Sequence, residues 1–217
     1  MKKKKKVRVK YKNILIFLAV IVLIAALCYY FMNLKISNIF IKGNTMFTDQ
    51  EIIRLAGIED YPETLITTSN MIKTKLKKEK FIYKALVKKK KLTQVYIEIE
   101  ENYPLYYYKG NTVLYNGKKI NEKLNCPIFV NEIPSKIKFN EAFKEVDRAI
   151  VNRISEIKYT PDDVDKNLFR FTMNDGNYVY ITLSKIEKIN KYIDFVKEFN
   201  NKSGTLYLNS GEYFKIN

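Results

Sequence analysis

The 217-residue sequence has no histidine and no tryptophan, and it contains only two cysteines and seven glycines. Without histidine the chain cannot form a Ser-His-Asp triad, a Cys-His pair or a His-ligated zinc site. Two cysteines are too few for a disulfide framework or a four-cysteine metal site, and the scattered glycines leave no Gly-rich phosphate loop. Most common enzyme sites are therefore excluded. We expect a binding or assembly protein with no cofactor, no metal and no small-molecule substrate.

One long stretch of the chain also lacks charge. Residues 13–34 carry no charged side chain and are almost wholly apolar, and about 20 such residues in a helix cross a bilayer core of about 30 Å. Residues 1–12 contain eight lysines and arginines and no acid. Because basic clusters of this kind stay in the cytoplasm, the sequence predicts a cytoplasmic tail (1–12), a single-pass transmembrane helix (13–34) and an extracytoplasmic remainder.

A cleaved signal peptide and a lipoprotein signal are alternative interpretations of this stretch. A cleaved signal peptide remains open, with a weakly specified cleavage position near Ala26, but the apolar run is longer than a usual signal sequence. A lipoprotein signal is disfavoured because Leu27, rather than a small residue, precedes Cys28. We therefore expect a permanent anchor. Cys28 would then lie in lipid and Cys126 outside the cell, so the two thiols would not pair.

The residues after the predicted span have the pattern of a strand followed by a helix. Residues 36–42 alternate in character and stop at the turn Gly43-Asn44. Thr48 and Glu51 have the spacing of a capping box, which opens a helix, and Gly57 is placed to close it.

A second helix and two strands are expected to complete this first unit. Ser69 or Asn70 is placed to cap the helix, and strands are predicted over residues 81–87 and 93–101. Alternate apolar residues predict a buried face for the last strand. Its glutamates are interpreted as solvated rather than as a catalytic carboxylate pair: Glu98, Glu100 and Glu101.

The remainder of the chain is expected to be rich in strands. Apolar spacing predicts a helix over residues 140–156. Thr160-Pro161 before several aspartates indicates a helix start rather than a calcium site. Ser184 with Glu187 predicts a capping box that opens a further helix. Three turn sequences predict β-hairpins: Lys109–Asn111, Asn174–Asn177 and Asn209–Gly211.

A lysine-dense stretch between residues 73 and 91 is opposed only by Glu79. In a cytosolic protein it would suggest nucleic acid, but the predicted topology places it outside the cell. Anionic lipid head groups or anionic wall polymers are then the sensible ligands, and a simple solvated surface is the alternative. The candidate residues for such a surface are Lys73, Lys77, Lys80, Lys88 and Lys90.

The last predicted hairpin is expected to place its final strand at a sheet edge, because Asn217 leaves no later residue of this sequence to cover it. An exposed edge either accepts a strand from another protein or is protected, here by Lys215 and by twist. Both possibilities are open from the pattern of residues.

Several of these motifs occur in a fixed order along the chain: residues 36–44, Thr48-x-x-Glu51-Ile52, Ala56-Gly57-Ile58, residues 80–87, residues 95–101 with Pro104, Asp175-Gly176, the helix from Lys185 and residues 204–208. In this order after a membrane helix, they resemble the FtsQ/DivIB family of bacterial cell-division proteins. The resemblance implies an α+β fold. A single-pass membrane helix would be followed by a POTRA domain of β-α-α-β-β order (35–103) and a mixed β-sheet domain with flanking helices (104–217).

The resemblance also implies a function. It predicts a non-enzymatic assembly protein of the divisome, located in the cell membrane at the division septum, that docks bitopic proteins of the FtsL and FtsB/DivIC type. Our hypothesis assigns that contact to the final hairpin, and to these residues: Tyr207, Tyr213, Phe214, Lys215 and Ile216.

Two alternatives of other classes stay open at this point. One is an extracytoplasmic module that binds anionic wall polymer or a lipid surface through its lysines. The other is a POTRA-bearing component of an export or assembly system, although no barrel strands are predicted after the POTRA segment.

Overall fold

The structure is a computed structural model that describes residues 11–200 and 202–216. In this part of the chain two units are separated between Glu101 and Asn102. The first contains a long apolar helix and a three-stranded sheet, here called the first sheet, and the second contains a nine-stranded sheet, here called the second sheet. The expected α+β fold with an N-terminal apolar helix is confirmed.

Helix α1 (Tyr11–Met32) begins and ends two residues before the predicted span. Among the described residues it is the helix long and apolar enough to cross a membrane. At 1.5 Å per residue its 22 residues extend about 33 Å. All of its side chains are exposed in the isolated chain, so water would be an unfavourable surrounding for this helix.

The rest of the first unit forms a sheet covered on one side by two helices. Its elements are β1 (Asn38–Lys42), α2 (Asp49–Ala56), α3 (Ser69–Leu76), β2 (Ile82–Lys90) and β3 (Gln94–Glu101). The central strand β3 pairs in parallel with β1 and antiparallel with β2. Apolar side chains from both helices and the sheet form one buried core, which includes Ile52, Ile72, Leu76, Val95 and Ile97.

Local signals fix the ends of α2. The Glu51 N–H donates to the Thr48 hydroxyl (3.3 Å), the Thr48 N–H donates to the Glu51 carboxylate (2.8 Å), and Gly57 closes the helix at φ +63°. The predicted capping box and C-cap are therefore confirmed. For α3 the predicted caps are wrong by one or two positions, because the hydroxyl of Thr68 accepts the N–H of Met71 (3.2 Å).

The second unit is built on the second sheet, with its helices packed against one face. Its strands run in the order β12-β11-β10-β9-β8-β7-β4-β5-β6, and the pairs β4–β7, β7–β8 and β10–β11 are parallel. The strands are β4 (Pro104–Tyr108), β5 (Asn111–Leu114), β6 (Lys119–Ile120), β7 (Ile128–Phe129), β8 (Ile154–Tyr159), β9 (Leu168–Met173), β10 (Tyr178–Thr182), β11 (Gly204–Tyr207) and β12 (Tyr213–Ile216). The helical elements are α4 (Lys136–Phe143), α5 (Arg148–Val151), a 3-10 segment (Leu183–Lys191) and α6 (Tyr192–Glu198).

Aromatic rings fill the centre of the second unit. Phe129 and Phe139 meet edge to face with ring centroids 5.1 Å apart, and Tyr106 packs against both rings. Edge-to-face contacts of this kind add roughly 0.5–1.5 kcal/mol per pair beyond area burial. The three predicted hairpins, β4–β5, β9–β10 and β11–β12, are all present and surround this core.

The helix predicted over residues 140–156 is wrong. The chain instead forms the end of α4, then α5, and then β8, which pairs with β7 and β9. The helix is interrupted at Asp147, whose N–H donates to the Asn190 side chain (2.8 Å). The apolar stripe that suggested a helix is nevertheless buried, because two short helices, the turn between them and a bulged strand all direct these residues inward: Phe143, Val146, Ile150 and Ile154.

Two predicted helix starts are also wrong. The Asp162 carboxylate accepts the N–H groups of Val164 (2.9 Å) and Asp165 (2.6 Å), so residues 160–167 form turns instead of opening a helix. Ser184 lies inside the 3-10 segment, whose N-cap is Thr182. The Leu183 N–H donates to the carbonyl of Asn167 (3.1 Å), so tertiary pairing starts this segment before Ser184 can cap it.

Candidate partner-binding edge

Strand β12 lies at one edge of the second sheet. It pairs with β11 in antiparallel register, with Tyr213 opposite Tyr207 and Lys215 opposite Thr205. Among the described residues no strand pairs with its other side. The N–H and C=O groups on the free side of such a strand are a template for a strand from another chain.

A buried polar network fixes the start of β11. The Gly204 N–H donates to the side-chain oxygen of Asn177 (2.7 Å), and the Asn177 amide donates to the Tyr192 hydroxyl (2.8 Å). That hydroxyl in turn donates to the Asp175 carboxylate (2.8 Å). Asn177 is only 3% exposed, so its amide needs these partners in place of water. The position of the hairpin is therefore set by side chains from the β9–β10 turn and from α6.

Stacked tyrosines cross the face of the second sheet that is turned away from the core. The rings of Tyr180 and Tyr207 are 5.3 Å apart at an angle of 6°, and those of Tyr207 and Tyr213 are 4.8 Å apart at 13°. We call these three residues the tyrosine ladder. It runs from β10 to the edge strand, and its last member, Tyr213, is 50% exposed. Tyr180 was missed in the sequence, where its alternation with Val179 and Ile181 was the available signal.

The structure divides the five predicted contact residues between the two faces of the hairpin. Tyr207, Tyr213 and Lys215 lie on the outer face, with Tyr207 and Tyr213 in direct contact. Phe214 is buried and stacks on Phe199, with ring centroids 4.9 Å apart. Ile216 is exposed at the end of β12. A partner strand would therefore meet Tyr213 and Lys215 on one face and Ile216 near the other.

Ion pairing and hydrogen bonding hold the turn between β11 and β12. Lys188 and Glu212 form a salt bridge of 2.6 Å, and the Lys188 ammonium keeps the pKa of the Glu212 carboxyl below its usual value. The Lys185 ammonium donates to the carbonyl of Asn209 (2.8 Å). Both lysines belong to the 3-10 segment, which therefore supports the hairpin from the side of the core.

The candidate lysines lie on different faces of the first sheet. Lys88 and Lys90 line a groove of about 560 Å³ on the face that the helices leave open, and the Lys90 ammonium lies 4.6 Å from the Tyr96 ring centre. Lys73 and Lys77 belong to α3 and its C-cap, on the opposite side. Lys80 lies over the Phe81 ring in the turn before β2. The structure thus brings Lys88 and Lys90 together and separates them from the other three.

Glu101 is buried, so the interpretation of the glutamates of β3 as solvated was wrong for this residue. Its carboxylate accepts the N–H groups of Thr45 (2.7 Å), Met46 (2.6 Å) and Phe47 (3.3 Å). Alternation along β3 places Glu101 on the face of Val95 and opposite to Glu98 and Glu100. Glu101 therefore holds the turn that follows β1, and it does not form a pair with the other glutamates.

The described residues contain no group of three or more His, Cys, Asp or Glu side chains that would hold a metal ion. Cys28 and Cys126 are both free thiols. Burial raises the pKa of Cys126 to about 11, a direction that disfavours the reactive thiolate.

Known proteins are similar to this chain in both units. Residues 34–102 match the family model described as POTRA domain, FtsQ-type. The chain is 27% identical to the cell division protein DivIB of Listeria monocytogenes, over 99% of this chain and 84% of that protein. It is 29% identical to DivIB of Bacillus subtilis, over 83% of this chain and 74% of that protein.

A solved structure of the major extracytoplasmic domain of DivIB from Geobacillus stearothermophilus is also similar, with 20% identity and a TM-score of 0.35, and covers 41% of this chain and 85% of that chain. The sequence matches extend over both units, and the POTRA match covers the first sheet and its helices. Residues 34–102 thus form a POTRA domain of the FtsQ type, and the chain is similar over both units to DivIB cell-division proteins.

Proposed function

We propose that this chain is a membrane-anchored assembly protein of the divisome that acts by docking rather than by catalysis. Helix α1 would be the anchor, with the basic N-terminal tail in the cytoplasm and both units outside the cell, at the septum. The length and apolar surface of α1 support the anchor. The relatives named as cell-division proteins support the process.

The docking site would be the free edge of β12, and the partners would be bitopic division proteins of the FtsL and FtsB/DivIC type. The observation that carries this proposal is an edge strand that also ends the tyrosine ladder. A strand added to β12 would gain main-chain hydrogen bonds, and a side chain opposite Tyr213 would extend the stack. Tyrosine is also among the residues that most often dominate binding energy at interfaces.

Two of the other edge strands, β2 and β6, are less suited to accept a partner. The edge strand β2 carries Lys84, Lys88, Lys89 and Lys90, and charged side chains of this kind protect an edge from pairing. At the other end of the second sheet, β6 has only two residues. Strand β12 presents one lysine, Lys215, among apolar and aromatic neighbours.

The docking site is tested by replacing Tyr213, the exposed last residue of the tyrosine ladder. In the full-length chain Tyr213→Ala should weaken co-purification with the bitopic partners, by about tenfold in Kd if Tyr213 is a hot spot. The matched control is Tyr83→Ala, which removes another exposed strand tyrosine, on the edge strand β2. Loss of binding in Tyr83→Ala but not in Tyr213→Ala would move the docking site to the first sheet, and unchanged binding in both would refute an aromatic edge contact.

Salt distinguishes this function from binding of anionic wall polymer or lipid through the lysines. Strand addition should persist when salt is raised from about 0.1 M to 0.5 M, because main-chain hydrogen bonds and stacking are weakly screened. Binding that depends on exposed lysines should be lost over the same range. Lys88→Gln with Lys90→Gln, the two lysines that the structure brings together, should leave partner binding unchanged.

A further inference from the structure

We propose that the first unit touches the membrane a second time, through an apolar patch beside the end of α1. The patch consists of Tyr61, Leu65, Ile66 and Leu92, and we call it the membrane-proximal patch. Its ligand would be the interfacial region of the bilayer that α1 crosses. This inference rests on the anchoring function proposed for α1.

The four side chains are large, apolar and exposed: Tyr61 by 45%, Leu65 by 51%, Ile66 by 64% and Leu92 by 55%. Single exposed apolar residues are common on soluble proteins, but these come from two segments that meet. The Thr64 hydroxyl donates to the carbonyl of Leu92, and Leu65 and Leu92 line one shallow groove of about 310 Å³. Converging exposed apolar side chains are typical of an interaction surface.

Hydrogen bonds tie both segments to the residues that follow α1. The Thr64 N–H donates to the carbonyl of Leu34 (2.7 Å), and the Ile36 N–H donates to the carbonyl of Pro62 (3.0 Å). The Ser37 N–H donates to the carbonyl of Thr93 (2.8 Å). Helix α1 ends at Met32, and two residues of extended chain reach at most about 7 Å. The patch is therefore held close to the level at which the helix leaves the membrane.

The backbone conformation of the turn between β2 and β3 also supports a membrane contact. Lys91 and Leu92 have φ values of +48° and +62°, and hairpin loops with successive left-handed residues ordinarily use asparagine and glycine there. A left-handed leucine costs roughly 1–2 kcal/mol, and here it also exposes its side chain. Burial of Leu92 in the membrane interface would offset both costs, at roughly 25 cal/mol per Å² of apolar surface.

Charge around the patch is balanced. Lys35 and Lys91 are exposed, and Lys89 turns its ammonium to the Thr64 hydroxyl (3.0 Å). The acidic side chains Glu59, Asp60 and Glu63 lie in the same loop. The segments around the patch thus carry three cations and three anions, so apolar contact rather than charge would drive binding. The contact should form on zwitterionic lipid and should not depend on salt.

The absence of tryptophan from the sequence makes the test direct, because one introduced tryptophan is the only indole in the protein. Full-length Leu65→Trp and Ile66→Trp would be reconstituted in phosphatidylcholine vesicles that contain lipids brominated on the acyl chains. Leu23→Trp, in the middle of α1, reports whether the helix is inserted. Met46→Trp is the control. Met46 is exposed and lies beside Glu101, at the end of the eight-residue strand β3 that is far from the patch. At the usual rise per residue of a strand, this end is about 25 Å from the patch.

We expect strong quenching of Leu23→Trp, and quenching of Leu65→Trp and Ile66→Trp about twofold or more above that of Met46→Trp, with blue-shifted emission, since interfacial residues leave water. If both patch variants match Met46→Trp while Leu23→Trp is quenched, the patch contact is refuted and the anchor stands. If Leu23→Trp is not quenched, the anchor fails and the contact with it. Quenching that requires anionic lipid and disappears in high salt would refute an apolar contact in favour of the lysines.

Discussion

The hydroxyl of Tyr192 connects three parts of the second unit. It donates to Asp175 in the β9–β10 turn and accepts from Asn177, whose side chain also receives the first N–H of β11, that of Gly204. Each buried polar group left without its partner costs about 1–3 kcal/mol. Tyr192 therefore helps to position β11 and, through it, the edge strand at which we place docking.

Tyr192→Phe should lower the free energy of unfolding of the second unit by about 1–2 kcal/mol, because Asn177 and Asp175 lose a buried partner. Thermal unfolding of the detergent-solubilised protein, followed by circular dichroism, measures the change. Tyr178→Phe is the control, since it removes the hydroxyl of a more exposed tyrosine on the same sheet. A variant as stable as this control would contradict the stabilising role of the network.

Tyr192→Phe should also change how the stability of the protein depends on pH in alkaline solution. Burial, with a smaller contribution from the Asp175 carboxylate, raises the pKa of the Tyr192 hydroxyl, and burial raises the pKa of Tyr106 to about 12. The folded protein then keeps protons that the unfolded chain releases from about pH 10, so stability falls as pH rises above that value. Tyr192→Phe should show a shallower fall than the parent protein, with the remainder due to Tyr106 and to Cys126, whose thiol pKa burial also raises.

Among the secondary-structure elements, two similar sequence signals have opposite outcomes. Thr48 and Glu51 form their capping box because both residues belong to the same turn, and the side chain of each accepts the backbone N–H of the other. Ser184 and Glu187 have the same spacing, yet β10 extends to Thr182 and the Leu183 N–H is already paired with Asn167. A capping signal therefore decides a helix start only where the preceding residues are free of strand pairing.

Substitution of Gly43 tests how closely the turn after β1 approaches strand β3. Gly43 and Gly176 both have φ +85°, but a Cβ on Gly43 would overlap the carbonyl oxygen of Ile99, whereas a Cβ on Gly176 has open space within 4 Å. Gly176→Ala should cost about 1–2 kcal/mol, the price of a left-handed alanine. Gly43→Ala should cost clearly more, because β1 and β3 must separate at that point. Calorimetry of the two variants measures both costs, and equal values would contradict the close approach seen between the turn and β3.

For the whole molecule, the orientation in the membrane decides which surfaces partners can reach. If the basic tail is cytoplasmic, a protease added to intact, wall-stripped cells should remove a C-terminal tag from this chain and leave a cytoplasmic marker protein whole. Survival of the tag would place the lysines in the cytosol. The proposed docking of bitopic partners outside the cell would then fail, and nucleic acid would again be the first candidate ligand.

The sequence by itself determined the features that depend on neighbouring residues. The uncharged run predicted α1, the Thr48–Glu51 spacing and Gly57 predicted the ends of α2, and alternation placed Val95, Ile97 and Ile99 inside. In each case the physical cause lies within one or two turns of helix, or within one strand. The order of these signals was also sufficient to indicate the family.

Only the tertiary structure decided features that join distant parts of the chain. Glu101 is buried because its carboxylate meets backbone N–H groups more than fifty positions earlier. Ile154 lies in a strand because it pairs with Met173 of β9, while β7 pairs with later residues of the same strand. The division of the lysines between two faces, the inclusion of Tyr180 in the ladder and the edge position of β12 follow from sheet order. Sheet order is set by long-range pairing and burial, which no local pattern of residues specifies.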